Sequence, residues 1–230
     1  MVADSGGNSR RNFCGGNFDD SVPKCGAFSG RYRNACKRKK YTISADDLAK
    51  FFLHPAAVIL REKDLSERDY QALAAQALAV CRAYHTPCIL HGFVNAAVLL
   101  NMPAIHLPLP ILRRIPEEQK RFFHILGASC HSIEEAKEAQ RLGCTYLTAG
   151  HIFPTACKKG APGRGLDFLR AVCQEISIPV YAIGGIDETN IASVFRAGAK
   201  CACSMSGFMH CEDAAAYIDT LKKGRETHAI

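Results

Sequence analysis

From about residue 44 onward, short apolar runs alternate with longer stretches in which apolar residues recur at helical spacing, the pattern of repeated βα units around a parallel sheet. Seven strands are predicted, at residues 57–61, 87–91, 104–107, 125–129, 145–149, 180–183 and 201–205. Helical stretches are predicted at 66–84, 94–100, 132–141, 166–174, 188–197 and 212–222, the first with Leu73, Ala77, Val80 and Cys81 on one face. Ser66 precedes Asp69, and Ser132 precedes Glu135, at capping-box spacing; Gly143 and Gly198 follow helix ends where a left-handed residue suits. Pro179 opens a strand, a place that tolerates a missing N–H. With a further helix at 45–52, the pattern is one strand short of a closed (β/α)8 TIM barrel, an α/β fold. The missing first strand must lie upstream. Residues 22–29 are the one candidate, and Pro23, Lys24 and Gly26 leave it irregular or poorly formed.

Composition divides the chain. Residues 1–40 hold nine of the 29 Lys/Arg and three of the 22 acidic residues, so the formal charge of +7 sits mostly there, and residues 41–230 are close to neutral. We therefore expect a basic, disordered or irregular N-terminal segment over 1–40 and a barrel over 41–230, with no nucleic-acid partner. No apolar run reaches the length of a membrane-spanning helix, and the Gly/Asn/Arg-rich start lacks the apolar core of a secretory signal, so a cytoplasmic location without membrane association is expected. The 12 cysteines sit singly in apolar segments or without C-x-x-C spacing, which favours reduced buried thiols over disulfides or zinc.

Candidate chemistry gathers at the predicted C-terminal ends of strands. Gly184 and Gly185 after one strand, and Ser206 and Gly207 after the next, suit a phosphate cradle of backbone N–H groups; tight turns alone are the alternative. Residues 150–165 form a long polar loop with Lys158, Lys159 and Arg164 able to attract an anion. His151 stands at the strand end that opens this loop, a place suited to catalysis. Arg61 and Lys63 alternate on an extended chain and so face one side, giving an anion site or surface pairs with Glu62 or Asp64. His91, His106 and His131 also fall at or just after strand ends, yet without the H-x-H or H-x-x-x-H spacing of a metal site, so no metal is expected.

Four segments, Ile59-Leu60-Arg61-Glu62-Lys63-Asp64-Leu65-Ser66, Gly127-Ala128-Ser129-Cys130-His131-Ser132, Gly150-His151-Ile152-Phe153-Pro154-Thr155 and Pro179-Val180-Tyr181-Ala182-Ile183-Gly184-Gly185, resemble thiamine phosphate synthase and its relative TenI, the thiazole tautomerase. The resemblance covers about residues 55–210 and implies a (β/α)8 barrel, usually a homo-oligomer, that handles the thiazole phosphate half of thiamine. In the synthase, magnesium rests on one aspartate of an Asn-Asp pair after strand three and another after strand four; this chain reads His91-Gly92 and Pro108-Leu109-Pro110-Ile111 there. Leu60 also replaces the glutamine that precedes the strand-two arginine in the synthase. Gly150-His151-Ile152-Phe153, Cys157-Lys158-Lys159-Gly160 and Gly163-Arg164-Gly165 are similar to the tautomerase, whose catalytic histidine matches His151. The resemblance thus implies a metal- and cofactor-independent thiazole tautomerase with His151 catalytic. Arg61, Lys63, Ser129, Thr155, Lys158 and Arg164 would bind the substrate, and Gly184, Gly185, Ser206 and Gly207 its phosphate. The alternatives are a thiamine phosphate synthase and a non-catalytic regulator that binds thiazole or thiamine phosphate.

Overall fold

The computed structural model describes residues 2–4, 56–158 and 160–226. Among them, strands β1 (Val2–Asp4), β2 (Val58–Leu60), β3 (Cys88–His91), β4 (Ala104–Pro108), β5 (Ile125–Cys130), β6 (Tyr146–Gly150), β7 (Val180–Ile183) and β8 (Cys201–Cys203) form one sheet in the order β1-β8-β7-β6-β5-β4-β3-β2. β2 to β8 are the seven predicted strands, all parallel. They make a curled, TIM-barrel-like α/β sheet with helices α1 (Glu67–Ala83), α2 (Val94–Leu99), α5 (Ile133–Arg141), α6 (Gly165–Glu175), α7 (Ile191–Arg196) and α9 (Ala214–Glu226) in the crossovers and at the end.

β1 adds a strand to those expected. Residues 2–4 pair with β8 in antiparallel register, Val2 opposite Cys203 and Asp4 opposite Cys201, although the polar start of the chain predicted no strand. A three-residue segment lies below the length at which periodicity is readable. Among the described residues β1 and β2 are the two ends of the sheet and do not pair. The candidate first strand at 22–29 and the helix at 45–52 lie outside the described residues, as does the rest of the basic segment.

Three short helices were not predicted. α3 (Leu109–Leu112) and α4 (Glu117–Lys120) fill the crossover after β4, each entered through a proline, Pro108 or Pro116, with extended ψ. α8 (Ser206–His210) follows β8 directly. α7 begins later than the predicted residue 188, because Asp187 closes a turn: its carboxylate accepts the Thr189 N–H at 2.9 Å, and the Asn190 side chain accepts the Asp187 N–H at 3.1 Å. The predicted caps form, with the Ser66 hydroxyl accepting the Asp69 N–H at 3.2 Å and that of Ser132 the Glu135 N–H at 3.1 Å.

The strands alternate between two cores. Leu90, Ile105, Leu107, Leu126, Ala128, Leu147, Ala149, Val180 and Ala182 join Tyr70, Leu78, Leu169 and Val194 of the helices in the main apolar core. Their sequence neighbours Ile89, Ala104, Tyr146 and Cys201 point to the opposite side, the barrel interior, with Ile59, Ile125 and Tyr181 packed against them. Higher in that interior a row of rings crosses the sheet: His91 stacks on His106 (centroids 5.4 Å apart), His106 meets Tyr146 (5.4 Å), and Tyr146 stacks on Tyr181 (4.7 Å). The row passes over β5 at Gly127, which pairs with His106 on one side and Tyr146 on the other. A Cβ at Gly127 would overlap the Tyr146 ring, so glycine is what lets residues of β4 and β6 touch across the strand between them.

Two predictions follow from this packing. Leu147 is fully buried in the main core, so Leu147→Ala should lose about 2–5 kcal/mol of stability in urea denaturation. Burial lowers the pKa of His91 to about 4, helped by the Arg61 charge, and burial lowers that of His106 to about 3, with contributions from His91 and Arg61. Both are therefore neutral when folded while the unfolded chain takes up protons below about pH 6.5, so their contribution is complete above that pH and is lost as pH falls toward 4, by up to ~1.4 kcal/mol per pH unit for each. Thermal denaturation should show a Tm that falls from pH 7 to pH 5, and His106→Gln should flatten that fall; an unchanged slope in the variant would remove His106 from the account.

Candidate active site at the barrel mouth

The C-terminal strand ends carry most of the polar side chains that the sequence singles out. His151 follows β6 directly and is half-buried, with Nε2 3.4 Å from the Ala161 carbonyl. Its backbone is tightly held. The Arg164 N–H donates to the His151 carbonyl at 2.9 Å, and the Gly150 carbonyl accepts both the His131 Nδ1–H at 2.8 Å and the Arg164 Nε–H at 3.1 Å. Beyond it the loop lies along β7, with the N–H groups of Ile152 and Phe153 donating to the carbonyls of Ile183 and Gly184 at 3.0 Å each.

This stitching explains the paired glycines in part. Gly184 and Gly185 have φ of +102° and +66°, and a Cβ on Gly184 would overlap that of His151, while one on Gly185 would come within 2.5 Å of the Pro154 carbonyl. Close approach of the β6 loop therefore already requires both residues to be glycine. Ser206 and Gly207 open α8, and a Cβ on Gly207 would run into the Tyr217 hydroxyl. The two pairs adjoin, since each follows one of two neighbouring strands in which Ile183 pairs with Cys203. The helix expected from residue 188 starts only at Ile191, so the Asp187 turn lies between it and the glycines.

Of the other predicted ligand residues, Ser129 lies deepest, on the interior face of β5. Its Oγ is 2.8 Å from His106 Nε2 and 3.3 Å from Thr148 Oγ1, and His106 Nδ1 is 2.9 Å from the Tyr146 hydroxyl. Arg61 is exposed one residue beyond β2, close enough to lower the pKa of both interior histidines. Lys63 is exposed in the bend that follows. Thr155 is half-buried and accepts the Lys158 N–H on its carbonyl at 3.0 Å, at a short 3-10 helix (Ala156–Lys158) that leaves Lys158 exposed. Arg164 is partly committed to the loop itself, through Gly150 and through its guanidinium 5.6 Å above the Phe168 ring. The structure thus joins His151 to Gly184 and Arg164, and Ser129 to His106. Among the described residues no side-chain hydrogen bond or ion pair joins Lys63 or Lys158 to these groups.

Sequence reasoning missed Tyr146 and Thr148, although the period-two alternation that places Ser129 inside also places these two on the facing strand. It also missed Ile183 and Met205, exposed apolar residues at and just beyond the ends of β7 and β8 beside the glycine pairs. Of the histidines read at strand ends, His91 and His106 are buried inside the barrel and His131 is exposed. A magnesium ion needs oxygen ligands, and the ends of β3 and β4 offer a neutral buried His91, Gly92 and Pro108, while both nitrogens of His106 are committed to Tyr146 and Ser129. These residues do not fit a magnesium–diphosphate site. Among the described residues no group of three or more His, Cys, Asp or Glu is arranged to hold a metal, and no helix is long and apolar enough to cross a membrane.

Comparison with known proteins agrees with this architecture. A thiamine-phosphate synthase of Clostridium tetani is 38% identical over 139 residues, spanning 58% of this chain and 65% of that protein. Another, from Caldivirga maquilingensis, is 36% identical over 170 residues, spanning 73% of this chain and 82% of its own length. The structure of thiamine phosphate pyrophosphorylase from Pyrococcus furiosus superposes with a TM-score of 0.67 at 29% identity, covering 80% of this chain and 90% of that one. The family model described as thiamine monophosphate synthase (TMP-TENI) matches residues 43–208, and the chain belongs to that family.

Proposed function

We propose that this chain is a thiazole tautomerase of the thiamine pathway, acting on a non-aromatic carboxythiazole phosphate. The observation that carries this reading is His151, an imidazole at the mouth whose backbone is pinned by Arg164 and whose preceding carbonyl is held by His131 and Arg164. A proton leaves the ring carbon next to the carboxylate and one is returned to the exocyclic carbon, so the ring becomes aromatic without net oxidation or reduction. An imidazole suits both halves near neutral pH. The phosphate is held by backbone N–H groups of Gly184, Gly185, Ser206 and Gly207, which anchors the ring so that one base serves two carbons. Arg61 and Lys158 attract the carboxylate, with Lys63, Thr155 and Arg164 at the rim and Ser129 below.

A second reading, thiamine-phosphate synthase, is favoured by the names of the relatives that match this chain. It requires a diphosphate-bearing pyrimidine to be held with magnesium, and the residues at the ends of β3 and β4 give that ion little to bind. The two readings part in the reaction each predicts. Proton NMR of the carboxythiazole phosphate with protein and without metal should show aromatisation, and His151→Ala should lose about 10²–10⁴-fold in rate while still binding product. Full activity of the variant would remove His151 from the chemistry. Magnesium-dependent release of diphosphate from the pyrimidine and thiazole substrates would establish the synthase instead, and tight binding of the thiazole phosphate with neither activity would mark a regulator.

A further inference from the structure

The hydrogens of the buried cluster beneath the mouth can be assigned from its partners alone. Tyr146 is 3% exposed, and His106 is the one hydrogen-bond partner of its hydroxyl among the described residues, at 2.9 Å. Ile89, Ala104 and Ile125, which carry no side-chain polar atom, pack around it, and the Tyr181 ring stacks on it with centroids 4.7 Å apart. A buried hydroxyl donates where it can, so the Tyr146 O–H points at His106 Nδ1. A neutral imidazole has one N–H and one lone pair. Nδ1 therefore carries the lone pair and Nε2 carries the hydrogen, which it donates to Ser129 Oγ at 2.8 Å. Thr148 Oγ1, 3.4 Å from that same Nε2–H, finds no acceptor there and donates to Ser129 Oγ at 3.3 Å. Ser129 Oγ then accepts twice, and its own hydrogen has no acceptor within the cluster.

We infer that Tyr146 and His106 form a buried relay that fixes the Ser129 hydroxyl as a hydrogen-bond donor toward the barrel mouth, so that this position selects a ligand atom able to accept, such as a carboxylate or phosphate oxygen. The inference rests on the reading above that Ser129 meets the ligand. Tyr146 and His106 are positioning residues: they act on the ligand only through Ser129. Neutrality of the imidazole is a condition of the relay, because a charged ring would donate from Nδ1 and break the bond from Tyr146; burial lowers the His106 pKa to about 3, far below neutral pH. Gly127 is a second condition, since a side chain there would displace the Tyr146 ring.

The test reads the hydrogen directly. In full-length protein labelled with 15N-histidine, the long-range proton–nitrogen spectrum at pH 7 should report His106 as the Nε2–H tautomer, and Tyr146→Phe should populate the Nδ1–H form. A wild-type His106 found as Nδ1–H overturns the relay, and this measurement needs neither a variant that folds nor a ligand. Binding of the aromatic carboxythiazole phosphate then tests the consequence: Ser129→Ala should weaken it by about 10-fold or more, the loss expected for a hydrogen bond to a charged group. Tyr146→Phe should weaken it in the same direction, and the double variant should bind no worse than Ser129→Ala. Additive losses would overturn the inference, because they would mean that Tyr146 acts by another route. If wild type neither binds nor converts the thiazole phosphate, the tautomerase reading falls. The relay is then judged by the spectrum, upheld by Nε2–H and overturned by Nδ1–H.

Discussion

In a parallel sheet wrapped by helices, each strand residue faces either the helices or the interior, and in this chain that alternation divides the chemistry from the packing. Leu90, Ile105, Leu107, Leu126 and Leu147 point outward and hold the helices, which leaves the inward positions to be filled by something else. Toward the mouth they are filled by rings and hydroxyls: His91, His106, Tyr146 and Tyr181 in a row, with Thr148 and Ser129 beside it. A polar interior is stable only when its hydrogen bonds are satisfied and its groups are uncharged. The depressed pKa values of both histidines and the two-sided bonding of His106 meet that requirement.

The mouth itself depends on backbone contacts more than on side chains. His151 is placed because the chain on either side of it is tied down: Gly150 by His131 and Arg164, and Ile152 and Phe153 by the end of β7. Gly184 and Gly185 make that tie possible by having no Cβ where the His151 and Pro154 segment lies. A position at the end of the next strand thus governs where the candidate base stands. Arg164 serves the same end, and its cationic head stacked on Phe168 braces the loop as much as it adds charge to the mouth.

Family membership sets the architecture and leaves the reaction to a few strand-end residues. The relatives cited carry the synthase name, and the barrel frame, the glycine pairs and Lys158 are compatible with either branch of the family. What separates the readings is the chemistry at the ends of β3 and β4, where His91, Gly92 and Pro108 stand in place of carboxylates. A neutral imidazole buried against another is a poor partner for a hard dication.

The order and type of the seven parallel strands were readable in the sequence, because each is a short apolar run between capped helices, and local patterns such as Ser66 with Asp69 or Ser132 with Glu135 carry their own boundary signals. His151, Ser129 and the glycine pairs were readable as candidates because a residue's place at a strand end follows from the period of the chain. The short helices α3, α4 and α8 were not, since single turns have too few residues for a helical period to emerge, and neither was β1, whose three residues are a strand only because β8 offers an edge. The sequence by itself therefore determined the seven parallel strands, their order along the chain and which residues stand at or near their ends. Only the tertiary structure decided what those residues touch: that Gly184 is glycine for the sake of His151, and that Gly127 opens the gap through which Tyr146 reaches His106, because contacts across neighbouring strands join residues 19 or more positions apart that no local pattern relates.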